Sequence, residues 1–232
     1  MSRLMPANEG DAAQRSTSVA ERRTEQIANA AVALFSERGY TRTTIEDISN
    51  EIGVGKGLIY RYFEDKRDVL FRALCAVLEK YKKENIIALL EEMGPLAALK
   101  RVLTINCAIA QEHAQEVLLA YRSTKDLMSE QRHQIKAIET GIVGEIRQCL
   151  EACIREGLMH PFDVRIMAYQ YVVFGHTWAL KNWAFSKDFT VSEFVAEGEK
   201  LLIVPFLTGS GRRKMKTAGT RAAGKKRRAR AR

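Results

Sequence analysis

Residues 43–66 read TTIEDISNEIGVGKGLIYRYFEDK, and the spacing inside this stretch decides the fold. Thr43, with Glu46 three residues on, fits a capping box at a helix start. Ile45, Ile48 and Ile52 recur on one side of a short helix, and Gly53 closes it. Val54 plugs the turn that follows. The next helix is expected from Gly55 or Lys56 to about Phe63, with Ile59 and Phe63 facing inward because they stand four apart. Lys56, Gly57, Leu58, Arg61 and Tyr62 are left on the outer side. Two short helices joined by a tight turn containing glycine form a helix-turn-helix, whose second helix enters the major groove of DNA. On that surface Lys56 and Arg61 can donate to guanine edges or to phosphates, and Tyr60 to a phosphate.

Upstream, Ile27, Ala30, Ala31, Leu34 and Phe35 form the stripe of an amphipathic helix that Gly39 ends. Downstream, Asp65 is placed to cap a long helix expected from Lys66 toward Glu92, broken by Gly94-Pro95. Beyond Pro95 every apolar pattern has a helical period. Leu96, Leu99, Leu103 and Cys107 share one face, and Ile135, Ile138, Ile142, Ile146, Leu150 and Ile154 form another ladder ending near Gly157. Residues 164–185 are apolar nearly all round, which predicts burial on two sides, one of them against a partner chain. A last helix starts after Thr190, with Glu193 as its cap partner. The expectation is an all-α protein.

Four segments are predicted. Residues 1–20 are small and polar and read as a disordered leader; 21–66 form the helix-turn-helix domain; 67–208 form a helical domain for ligand binding and dimerisation; 209–232 form a basic disordered tail. The net charge of +9 is concentrated in that tail. Of the 37 Lys and Arg residues, eleven fall within 212–232, leaving 26 against 28 acidic groups in the body. The tail is expected to attract phosphates without sequence preference. The hydrophobic fraction of 46% supports a core, and no apolar run reaches the length of a membrane span. Without an N-terminal signal run, a cytoplasmic protein is expected. Cys75, Cys107, Cys149 and Cys153 each sit in an apolar helical pattern and read as small buried hydrophobes. No catalytic residue, metal site or cofactor is expected, because paired carboxylates, a nucleophile triad, metal-ligand spacing and a phosphate loop are all missing from the pattern. An enzyme is therefore the weakest reading.

The run AxxLFxERGYxxTTIxDIxxxxGVxKGxxYRYFxDKxxxL, from Ala31 to Leu70, resembles the DNA-binding region of repressors of the tetracycline-repressor (TetR) family. The match covers under a quarter of the chain. The resemblance implies a homodimer that binds double-stranded operator DNA and responds to a small-molecule effector. It implies that Thr43 or Thr44 holds a phosphate, that Lys56, Gly57, Leu58 and Arg61 lie at base edges, that Tyr60 and Tyr62 touch the backbone or a base methyl, and that Lys66 binds another phosphate. Gly55 departs from the many relatives that carry a capping Ser or Thr there, which predicts a more mobile second helix off DNA. An effector is expected among the later helices, with Asn106, Tyr121, Arg122, Thr124, His133, His176, Trp178 and Asn182 as polar candidates. Residues 174–185, FGHTWALKNWAF, weakly resemble the corresponding helix of relatives that respond to fatty acyl-CoA, implying a bulky hydrophobic effector. The rival from another class is a small-molecule-binding helical protein without operator function.

Overall fold

The computed structural model of the chain describes residues 9–216, with side-chain surroundings from residue 19. Ten α-helices follow in order: α1 Glu9–Arg38, α2 Ile45–Glu51, α3 Lys56–Ile59, α4 Lys66–Lys83, α5 Ile86–Met93, α6 Pro95–Glu112, α7 Ala114–Ser123, α8 Ser129–Arg155, α9 Val164–Phe185 and α10 Val191–Leu202. Residues 209–216 are helical as well. Among the described residues the sole β feature is an isolated bridge between Met159 and Leu207. The all-α expectation holds.

The described residues form two compact units. One comprises the chain up to Ala76 together with Leu118–His133; the other comprises Val77–Val117 together with the chain from Gln134 onward. The first unit is built on the stripe of α1, where Ile27, Ala31, Leu34 and Phe35 are buried. Ile48, Ile59, Phe63, Val69, Leu70, Ala73 and Leu74 complete its apolar interior. Each such side chain removed from water contributes about 1.5–3 kcal/mol. The second unit packs α6 against α9 and α10, with α5 alongside. Its core runs through Leu99, Leu103, Cys107, Ile146, Cys149, Leu150, Cys153 and Tyr171. All four cysteines are buried. Burial pushes the thiols of Cys107 and Cys153 up to about 12 and that of Cys149 to about 11, so none of these three offers a thiolate.

Several boundaries differ from the sequence expectation. Helix α1 begins at Glu9, so much of the segment expected as a disordered leader is helical, while residues 1–8 lie outside the described residues. The long helix expected over 66–92 breaks after Lys83. Asn85 stands there in the left-handed region, with φ 42°, which asparagine tolerates better than most residues. Its side chain accepts from the Ala88 N–H at 3.1 Å and caps α5. Helix α9 is kinked at Lys181, where φ is −128°. The basic tail is expected from residue 209, yet its first part is docked. Thr208 accepts from the Gly211 N–H and starts the helical turn, Lys214 pairs with Glu156 at 3.5 Å, and Met215 packs on the core. Residues 217–232, which carry the rest of that tail, lie outside the described residues.

Candidate nucleic-acid interface

The reader begins with the loop between α1 and α2. Gly39 turns with φ +84°, as a helix-ending glycine does. Thr43 is wholly buried, and its hydroxyl donates to the carbonyls of Gly39 at 3.0 Å and Leu34 at 3.3 Å. The capping residue of α2 is therefore Thr44, one position later than expected. Its hydroxyl accepts from the Asp47 N–H at 3.1 Å, and the Asp47 carboxylate receives the Thr44 N–H at 2.7 Å. Those hydrogen bonds from Thr44 hold the Asp47 carboxyl below its usual range. Thr43 has no route to a phosphate in this position, whereas Thr44 stays exposed.

Helix α2 ends at Glu51 with Ile52 as its cap, and Gly53, at φ +68°, makes the turn. The Val54 N–H donates to the Ser49 carbonyl at 2.9 Å and closes the corner. Helix α3 is only four residues long, shorter than the run to Phe63 expected from spacing. Hydrogen bonds from the Tyr62 and Phe63 N–H groups to the Ile59 carbonyl, at 2.9 and 3.0 Å, continue the coil as turns. Ile59 and Phe63 are buried, as their spacing predicts. Lys56, Gly57, Tyr60 and Arg61 are exposed, while Leu58 and Tyr62 are half-buried. Gly55 supplies no side-chain cap. Instead the Lys56 ammonium, on the first residue of α3, meets the Glu46 carboxylate of α2 at 2.7 Å.

Lys66 has a different surrounding from the one expected of a phosphate ligand. Its ammonium donates to the carbonyls of Thr43 at 2.8 Å, Tyr40 at 2.9 Å and Thr41 at 3.4 Å. It also lies 4.4 Å from the centre of the Tyr40 ring. Burial draws its pKa down, while Asp126 and Asp47 oppose that shift. The side chain is a clasp on the loop that delivers Thr43 and Thr44. Asp65 caps α4 as expected, accepting from the N–H groups of Arg67 at 2.7 Å and Asp68 at 2.9 Å.

The effector candidates are divided between the two units. Tyr121, Arg122 and Thr124 belong to the first unit. Tyr121 is 55% exposed, Arg122 lines a cleft with Phe35, Tyr40 and Arg42, and the Thr124 hydroxyl donates to the Ala120 carbonyl at 2.6 Å. Asn106, His176, Trp178 and Asn182 belong to the second unit. Asn106 is buried and reaches the Tyr171 carbonyl at 3.5 Å. Trp178 is buried with its ring nitrogen unpartnered by protein and its ring against Phe194 at 5.2 Å. His176 sits 3.5 Å from the Tyr81 hydroxyl, and burial lowers its pKa to about 4, keeping it neutral at pH 7. Asn182 and His133 are exposed. Spacing alone points neither to Tyr81, 95 residues from its histidine partner, nor to Glu46 as the partner of Lys56.

Residues 27–73 match the family model described as bacterial regulatory proteins, tetR family. The chain is 42% identical over 195 residues to the HTH-type transcriptional regulator HbdR of Aromatoleum sp. (strain CIB), covering 84% of this chain and 85% of that relative. It is 30% identical over 154 residues to the nucleoid occlusion factor SlmA of Vibrio vulnificus (strain YJ016), covering 64% and 77%. Among solved structures, the TetR-family regulator PfmR from Thermus thermophilus shares the fold with a TM-score of 0.68 at 20% identity, over 76% of this chain and 96% of that one. AibR, solved with isovaleryl coenzyme A and operator DNA, shares it with a TM-score of 0.67 at 20% identity, over 79% and 100%. With the helix-turn-helix in place and a regulator of high identity matching most of its length, the chain belongs to the tetR family of bacterial regulatory proteins and is a transcriptional regulator.

Proposed function

We propose that the chain is a homodimeric, cytoplasmic repressor that grips an operator through the face from Lys56 to Tyr62 and leaves it when a small, largely apolar effector binds. One observation carries the reading: Ile59 and Phe63 are buried beneath a face on which Lys56, Gly57, Tyr60 and Arg61 all meet solvent. Two basic groups and a phenol on one short, firmly rooted turn suit the acceptor-rich edges and phosphates of a duplex groove. Footprinting on DNA beside the protein's own gene tests it. Arg61→Ala should abolish protection without disturbing the fold. A wild-type protein that protects no stretch over random competitor refutes the reading and favours a small-molecule binder without operator function.

A single reader of this size makes few contacts, so tight binding calls for two half-sites about 34–36 Å apart or a multiple of that. The pairing surface we assign is the apolar stripe of α9 at Ile166, Tyr169 and Val173, exposed at 63%, 44% and 44%, together with Leu201 of α10 at 62%. A contiguous exposed apolar stripe marks an association surface. A Val173→Glu variant should sediment as a monomer.

For the effector we favour a bulky molecule with a hydrophobic part, such as the acyl chain of a coenzyme A thioester. The likeness of residues 174–185 to acyl-CoA-responsive relatives supports this, as does the AibR structure with isovaleryl coenzyme A. The neutral His176 beside Tyr81 suits the uncharged acyl part of such a molecule and not its phosphates. Release follows if the effector binds the DNA-incompetent state more tightly. Helix α4 belongs to the first unit up to Ala76 and to the second from Val77, so it is the natural lever. Mass spectrometry of the natively purified protein checks the class, and a strictly polar bound molecule would rule it out.

A further inference from the structure

We propose that Glu46 is a specificity-determining residue, acting with Lys56 as an acceptor–donor pair that matches a C·G base pair in each half-site. The inference rests on the reading of the Lys56–Tyr62 face as the DNA reader.

The pair itself does little for the fold. Its side chains are 60% and 50% exposed, and a surface ion pair of this kind contributes at most about 1 kcal/mol. What it does is place a carboxylate on the face that must approach a polyanion. A negative group there repels phosphates, so it weakens every contact that depends on charge alone. The only partners in the major groove that favour it are the amino groups of cytosine and adenine. Lys56, held 2.7 Å away, requires an acceptor immediately beside that amino group.

A C·G pair presents this arrangement. Cytosine N4 and guanine O6 are hydrogen bonded to each other at about 2.9 Å, close to the spacing of the Glu46–Lys56 pair. The carboxylate then accepts from N4 while the ammonium donates to O6 and to the neighbouring guanine N7. An A·T pair also sets a donor beside an acceptor, but it offers the lysine one acceptor flanked by the thymine methyl where guanine offers two. The flanking glycines keep the approach open. Apart from its chain neighbours, a Cβ at Gly55 or Gly57 would meet nothing within 4 Å, so open space flanks Lys56 on both sides.

On random DNA the same pair acts in reverse. A Lys56 ammonium that stays paired with Glu46 brings a neutralised charge to any phosphate it reaches, and the Glu46 carboxylate beside it faces the anionic backbone. Glu46 thereby lowers non-specific affinity while sharpening one position of the operator.

The test is selection from randomised duplexes with the full-length wild-type protein, followed by affinities of Glu46→Ala and Glu46→Gln for the selected site, its single-base variants and random DNA over a salt series. Glu46→Ala should relax one position in each half-site by about tenfold or more, leaving the others unchanged. Its affinity for random DNA should rise, with the salt dependence steepening by up to about 0.9 per subunit as Lys56 takes up a phosphate. Glu46→Gln should move the preference at that position toward adenine, which a carboxamide recognises bidentately. Parallel loss of affinity for specific and random DNA, with base preference intact everywhere, would reduce Glu46 to a prop and overturn the proposal. Wild-type protein that selects no sequence at all would overturn the DNA reading as well, and that failure shows before any variant is made.

Discussion

Replacing Lys66 by methionine separates two roles that one lysine at this position can have. The side chain keeps its length and loses its charge. In the structure the ammonium makes two short bonds to the Tyr40 and Thr43 carbonyls, a longer one to Thr41, and a cation–π contact with Tyr40. Charge-assisted hydrogen bonds contribute about 1.5–3 kcal/mol each. The low end applies because the group is only part-buried and water can reach the released carbonyls. Offset by the cost of bringing the ammonium out of water, the clasp is worth about 2 kcal/mol. For a chain of this size that corresponds to a fall in Tm of about 4–8 °C. Operator affinity should drop too, because the loop that presents Thr44 loosens, but the salt dependence of binding should stay as it was. Calorimetry on the free protein and fluorescence anisotropy over a salt series provide both readouts. If Lys66 held a phosphate instead, Tm would be unaffected and the salt slope would fall by about 0.9 per subunit. That pattern would refute the clasp.

Gly198→Ala should destabilise by about 1–3 kcal/mol, since its Cβ would stand 2.4 Å from the Phe174 ring; Gly141→Ala, with open space around the added methyl, should instead raise stability by about 0.5–1 kcal/mol in urea titrations. His176 folds with a pKa of about 4 against an ordinary value of 6.5, so the unfolded chain binds the extra proton between those values. Stability should therefore decline as pH falls from 6.5 toward 4, by up to about 3 kcal/mol, and His176→Phe should flatten that slope in denaturation followed against pH. Truncation after Lys216 removes seven basic residues of the tail and should lessen the salt dependence of DNA binding without changing the preferred site. Truncation at Gly211 should also cost stability, because the docked turn with Lys214 and Met215 goes with it.

Much of the architecture is legible because apolar periodicity and glycine placement are local signals. The stripes of α1, α6 and α8, the turn at Gly53 and the cap at Thr190 need only neighbouring residues. The failures share a cause, in that each is decided by something distant in the chain. Thr43 with Glu46 fits the capping-box pattern on paper; the carbonyls of Leu34 and Gly39 draw Thr43 inward and leave the cap to Thr44, with Asp47. The apolar rhythm continues across Asn85, so nothing in it announces a left-handed residue. Residues 209–216 look like the start of a basic appendage until Thr208 is found bonded to Gly157 and Leu158. Lys66 reads as a phosphate ligand from its charge and its helix position, and three carbonyls from the loop before α2 give it other employment. The effector candidates are polar interruptions of apolar stripes, a criterion blind to which unit a helix joins.

The division of the chain has a consequence for its biosynthesis. Leu118–His133 belongs to the same unit as the described chain up to Ala76, and Leu119, Ser123 and Leu127 within it are buried. A ribosome therefore cannot finish the amino-terminal reader when its last helix emerges; the nascent unit waits for some forty intervening residues before its closing segment arrives. Excised fragments ending at Ala76 should consequently be poor surrogates for the reader, however complete their motif looks, and a fragment carried through His133 is the shortest that contains all of its parts.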